Sequence, residues 1–203
     1  MPAQPPDTPE TPDPRQPPPG GAHLPEPISP DPAAVDPAGL AVVLYPAPVL
    51  RRVAAPLAEV TDYVRAVALR MIDLMYEARG VGLAAPQVGL PWRMFVANPT
   101  HEPGEDRVFI NPVLREPAPA TAPHDEGCLS LPQITVEVTR PTAITIDALD
   151  LDGQPFSLTS DDFAARVWQH EFDHLNGVLI LDKMTRIDRM ANKRAIAELE
   201  ANA

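Results

Sequence analysis

Apolar positions recur at helical spacing between Asp62 and Arg79. Val64, Val67, Ala68, Met71, Ile72 and Met75 fall on one face, Thr61 precedes them as an N-cap and Gly80 follows as a stop. The spacing predicts a helix over 62–79. After the glycine-rich stretch GVGLAAPQVGL, the period shortens to that of strands at Arg93–Ala97, Arg107–Ile110, Ile134–Val138, Ala143–Leu149 and Pro155–Leu158. Asp152-Gly153 suits a tight turn between the last two. A second helix is expected to run to about Asn176, capped by Thr159 or Ser160 and ended by Gly177. The run VLILD then reads as a short apolar strand, and a polar helix begins near Arg186. Leu40–Val60 is irregular, because its prolines end any helix. Short, mostly antiparallel strands packed around one central helix, with a further helix at the C-terminus, describe an α+β fold.

Composition changes the picture at the N-terminus. Half of the 28 prolines lie before Leu40, in a stretch with six acidic residues, one arginine and few large apolar side chains. Such a segment buries too little apolar surface to offset its ordering entropy. Residues 1–39 are therefore expected to form a Pro-rich disordered tail, and 40–203 a single catalytic domain. The tail has neither the basic, apolar pattern of a secretory leader nor the arginine-rich, acid-poor pattern of a transit peptide. The longest apolar run, Leu40–Leu50, is interrupted by two prolines and is too short to span a bilayer. A lone cysteine permits no disulfide within the chain and suits a reducing compartment, so the cytoplasm is expected. A net charge of −12 argues against general nucleic-acid binding.

The segment QHEFDHLNG carries the strongest chemical signal. His170 and His174 are four apart on a predicted helix, so both imidazoles reach one metal ion, and Glu171 lies beside the first. A divalent ion acidifies water and polarises a carbonyl, while a carboxylate so placed moves the proton. A third protein ligand decides the class. A histidine six residues after His174 is absent, since position 180 is Ile180, and Glu198 lies close to the chain end. Cys128, in EGCLSLP, is the stronger candidate because thiolate binds borderline-soft divalent metals well; taken alone it equally suits a small buried hydrophobe. In the loop GVGLAAPQVG, Gly80 and Gly82 permit close backbone approach to a ligand, and Gln87 offers an amide donor for a developing oxyanion.

In that order and at about these separations, Gly80–Gln87, Glu126–Ser130 and His170–His174 resemble the motifs of the peptide deformylases: GxGLAAxQ, EGCLS and HExDH. The resemblance runs from about Leu40 to the C-terminus. It implies removal of the formyl group from the N-terminal formyl-methionine of new polypeptides. It further implies that Cys128, His170 and His174 bind the metal, that Glu171 is general base and then acid, and that Gln87 and the Leu129 N–H stabilise the oxyanion. The implied metal is typically Fe²⁺, although one thiolate and two imidazoles suit zinc or nickel too. Val81 and Gly82 are expected to border the substrate. Phe163 and Val167, four apart and on the side of His170, are expected to wall an apolar pocket for methionine, or to fill the core.

Some deformylases are thought to dock on the ribosome through a C-terminal helix, and Arg186, Arg189 and Lys193 are expected to share one helical face here. Two other readings remain at this stage. A zinc endopeptidase lacks its usual third ligand. A peptide-binding module with a closed structural metal needs a fourth ligand, for which His124 is the nearest candidate and His101 the other.

Overall fold

The computed structural model describes residues 24–31 and 34–201. Its centre is a five-stranded antiparallel sheet of order β1-β2-β3-β6-β7, formed by β1 (Gly82–Ala84), β2 (Met94–Ala97), β3 (Arg107–Arg115), β6 (Ile144–Leu149) and β7 (Pro155–Ser160). Strands β4 (Thr121–Glu126) and β5 (Val136–Pro141) pair separately as an antiparallel hairpin.

Alternation along the strands assigns the two faces of the sheet. Met94, Val96, Val108 and Ile110 meet Val64, Val67, Ala68, Met71 and Met75 of helix α1 (Asp62–Glu77). Phe95, Ala97, Phe109, Ile144, Ile146 and Ala148 meet Ala165, Val167, Trp168 and Leu175 of helix α2 (Phe163–Leu175). Because both faces are covered, β2 is buried at every position and reads in sequence as a continuous apolar run. A third apolar cluster underlies the β4–β5 hairpin and joins it to Leu179–Leu181 and to the C-terminal helix α4 (Lys193–Ala201), which follows the short helix α3 (Arg186–Ala191), through Ala195, Ile196 and Leu199 of α4.

Several expectations are corrected. Helix α1 stops two residues early, at Glu77, and it is Arg79 (φ 58°), not Gly80, that takes the left-handed conformation. Gly80 serves packing instead, since a Cβ there would lie 2.8 Å from Leu129 Cδ1. Helix α2 is capped by Asp162, which accepts from the Ala164 N–H at 2.8 Å; Ser160 accepts from Asp162 and Ala165. The run VLILD is not a strand, because Ile180–Asp182 close a 3₁₀ turn. Strand β3 continues past Ile110 despite Pro112, through a bulge in which Asn111 (φ 51°) leaves the strand conformation and its side chain bonds both backbone groups of Leu57 at 2.8 Å. Strands β1 and β4 carry too short or too polar a pattern to be seen in sequence. The C-terminal helix is broken at Asn192, so Arg186, Arg189 and Lys193 do not share one continuous face.

Residues 1–23, the larger part of the expected tail, lie outside the described residues. The remainder makes defined contacts with the body. The Ile28 N–H donates to the Pro56 carbonyl and the Ala58 N–H to the Ile28 carbonyl, both at 2.8 Å, forming a parallel bridge with Leu57. Ile28 and Val35 pack on the α1 cluster, and the Tyr63 hydroxyl donates to the Val35 carbonyl at 2.6 Å.

Candidate metal centre and its cavity

Helix α2 presents His170 and His174 with ring centroids 5.0 Å apart. The turn after β4 brings Cys128 to them, and one ligand atom from each of Cys128, His170 and His174 lies within 4.8 Å of the other two. The Cys128 Sγ is 3.4 Å from His174 Nε2. No fourth His, Cys, Asp or Glu joins this cluster among the described residues. His124 bonds instead to the Asp125 carbonyl, His101 is exposed, and Glu198 pairs with Arg194 on α4. A closed structural site therefore lacks its fourth ligand.

Glu171 is buried, with Oε2 unpartnered among the described residues, and Gly82 explains how its carboxylate fits. A Cβ on Gly82 would lie 2.4 Å from Glu171 Oε1, so β1 can pass this close only as glycine. Gln87 is held by its own turn: its Oε1 accepts from the Ala84 N–H at 2.9 Å, which aims Nε2 at Cys128 Sγ (3.5 Å) and Ser130 Oγ (3.3 Å). Leu129 follows Cys128 directly. A cavity of about 440 Å³ opens onto the group, lined by Val81, Gly82, Gln87, Leu129, Phe163 and Val167 among others. All ten residues singled out in sequence thus border one space or the metal-ligand cluster beside it. They do so unequally, since Val167 is buried while Phe163 is 47% exposed and also flanks a second, smaller depression.

Burial raises Glu171 to about 7, opposed by the positive charges of His170 and Arg140. Burial likewise holds His174 well below its ordinary value, reinforced by His170. For His170 burial acts downward but is outweighed by hydrogen bonds to Cys128 and Glu126 and by the charge of Glu171, which together raise it to about 10 in the metal-free chain. A cluster that traps a proton on one imidazole and leaves a neighbouring buried carboxylate oxygen and His174 Nδ1 without partners among the described residues is poorly matched as it stands. One thiolate and two imidazoles converging on a point fit a divalent metal, which would displace that proton.

Sequence reasoning missed the residues behind the ligands. Glu126 Oε2 lies 3.0 Å from His170 Nδ1, and Arg140, Arg166 and Asp173 complete a buried ionic cluster around it. The signal available was the position of Glu126, two residues before Cys128 on the same face of an extended segment.

Residues 40–190 match the sequence profile of the family described as polypeptide deformylase. A peptide deformylase of Brucella suis biovar 1 is 41% identical over 150 residues, covering 73% of this chain and 86% of its own. The chloroplastic/mitochondrial peptide deformylase 1B of Arabidopsis thaliana is 43% identical over 148 residues, 72% of this chain, which spans 54% of that longer relative. Among solved structures, peptide deformylase from Plasmodium falciparum superposes with a TM-score of 0.76 at 37% identity, covering 79% of this chain and 95% of its own.

Proposed function

The chain belongs to the polypeptide deformylase family, and from that membership we propose how its own residues carry out the reaction. It is a metal-dependent hydrolase that removes the formyl group from the N-terminal formyl-methionine of newly made polypeptides. Cys128, His170 and His174 would hold the divalent metal. When bound, that ion polarises the formyl carbonyl and makes water more acidic.

Glu171 takes a proton from the attacking water as its oxygen bonds to the formyl carbon. Gln87 Nε2 and the Leu129 N–H donate to the oxyanion that forms. As the C–N bond breaks, Glu171 returns the proton to the departing amine, releasing formate and a free N-terminus. Val81 and Gly82 border the peptide backbone, and Val167 with Phe163 walls the methionine side chain. The observation that carries this reading is one space that opens onto a cluster of three convergent ligand atoms and is bordered by a buried carboxylate with an oxygen unpartnered among the described residues and by an aimed amide donor.

Fe²⁺ is the proposed ion, with zinc or nickel as alternatives the same donors accept. No helix among the described residues is long and apolar enough to cross a membrane. We place the enzyme in the cytoplasm with nascent chains as its substrates. Ribosome contact through α3 and α4 belongs to the same proposal, supported by exposed Arg186, Arg189 and Lys193.

Anaerobically purified protein given formyl-Met-Ala-Ser should release formate and leave the tripeptide intact. Internal cleavage without formate would make the protein an endopeptidase, and neither product would make it a binding module. The N-acetyl analogue tests the crowding around the carbon. Because there is no room for even a Cβ between Gly82 and the Glu171 carboxylate, an acetyl methyl has little space, and kcat/KM should fall at least ~10²-fold, about 3 kcal/mol in the transition state. Comparable rates would mean an open site.

A further inference from the structure

The two histidines of the cluster are held very differently. His170 Nδ1 faces Glu126 Oε2 at 3.0 Å, whereas His174 Nδ1 is buried with no partner among the described residues. Glu126 in turn is immobilised on both oxygens. Arg140 grips it in bidentate fashion, Nε to Oε1 at 2.7 Å and Nη2 to Oε2 at 2.8 Å, and Arg166 Nη1 adds a third bond to Oε1 at 2.7 Å. Each guanidinium is fixed at its far side. Arg140 reaches Asp173 at 2.8 Å, which also pairs with Lys183, while Arg166 donates to the Ala122 and Val138 carbonyls across the β4–β5 hairpin.

Burying Glu126 and Arg140 this completely, with Arg166 partly buried beside them, is costly, and an apolar cluster of the same volume would tie a hairpin to a helix at least as well. The arrangement gains its sense from what it does to one imidazole. A histidine that offers the Nε2 lone pair to a metal must carry its proton on Nδ1, and an acceptor fixed at Nδ1 selects that tautomer and sets the ring plane. We propose that Glu126 is a positioning residue for the metal centre: locked by Arg140 and Arg166, it holds His170 as the Nδ1–H tautomer with Nε2 turned toward Cys128. His174 has no such guide and takes its place through packing. This inference rests on the reading of Cys128, His170 and His174 as ligands.

The test uses the full chain loaded with Co²⁺, whose thiolate charge-transfer and d–d absorption bands report the ligand set directly. The parent protein should show both. Absence of the thiolate band would overturn the ligand reading itself, before Glu126 is addressed. Given that band, Glu126→Gln should keep the fold by circular dichroism, weaken Co²⁺ by about 10- to 100-fold in competition with a chelator, and shift the d–d bands. A folded variant with lower thermal stability but unchanged Co²⁺ affinity and spectrum would show a merely structural role and end the proposal.

A variant that does not fold leaves the decision to the parent protein. In the Zn²⁺-loaded chain with ¹⁵N-labelled histidine, the His170 Nδ1–H should be present and exchange more slowly than that of His174. Zinc at His170 Nδ1, or a proton on its Nε2, overturns the proposal.

Discussion

Glu171 shows how far one residue's environment reaches. Its carboxyl ordinarily ionises near 4.5 and burial raises it to about 7 in the metal-free chain. Between those values the native state holds a proton that the unfolded chain has released. Stability from this group is therefore fully present below about 4.5 and lost as the pH rises through about 7. Glu171→Gln, which cannot ionise, removes that loss. In chelator, the variant's melting temperature relative to the parent should be higher at pH 8 than at pH 4.5, a difference worth up to about 3 kcal/mol. An equal offset at both pH values would mean the parent carboxylate is solvated. With metal present the same variant should keep its ion while turnover falls on the order of 10²-fold or more.

Gly82→Ala tests the contact from the other side. Its new Cβ, 2.4 Å from Oε1, must push the carboxylate aside, so kcat should fall by roughly 10²-fold with metal content unchanged. Near-parent kcat would show that strand β1 yields instead. The ligands and Glu171 were legible in sequence because two lie one helical turn apart and the third stands in a distinctive loop. Glu126 was not, because its partners Arg140 and His170 are 14 and 44 residues away, and nothing local marks a carboxylate as the anchor of a distant imidazole.

At the scale of elements, what the pattern revealed depended on how many faces each one buries. Helix α1 and strands β2 and β6 were readable because an apolar stripe or run survives in them. Strand β1 has only three residues, and β4 exposes most of its length, so neither leaves a period to detect. Strand β3 was read only as far as Ile110, for a different reason. Pro112 argues against a central strand, yet the bulge at Asn111 absorbs it, and the asparagine amide replaces the missing strand partner by bonding Leu57. Asn111→Ala should therefore cost about 3 kcal/mol, since it leaves two buried backbone groups of Leu57 unpaired and puts alanine at a positive φ. A chemical-denaturation shift under 1 kcal/mol would show that the bulge closes without it. Helix α2 offers a milder case. Asp162→Ala removes the cap on the Ala164 N–H and should cost about 1 kcal/mol, with the metal site intact because the histidines lie about two and three turns further on.

For the molecule as a whole, composition misleads at the N-terminus. Averaged over 1–39, the chain is too proline-rich and acidic to build a core, and its removal is expected to be without effect. The average conceals Ile28 and Val35, two apolar side chains spaced so that both reach the α1 cluster, together with backbone groups that pair with 56–58. Deleting residues 1–39 should leave formate release at 25 °C intact while costing about 2 kcal/mol, on the order of 5 °C in melting temperature. Ile28→Ser in the full chain should account for about half of that loss. An unchanged melting temperature in both would mean the segment adds nothing to the fold.

That bridge also determines where the protein would carry tension. A pull applied upstream of residue 24 is taken up first at Ile28, whose N–H and carbonyl are tied to Pro56 and Ala58. It passes through Leu57 to the Asn111 amide, and from there into β3 at the middle of the sheet. A second branch leads from the same segment to α2, because Ala54, two residues before Pro56, donates its N–H to the Leu175 carbonyl at 2.9 Å. A molecule tethered by its N-terminus to a bead or a surface thus meets two backbone hydrogen bonds at Ile28 first, and their release comes before any load reaches the helix that carries the histidines.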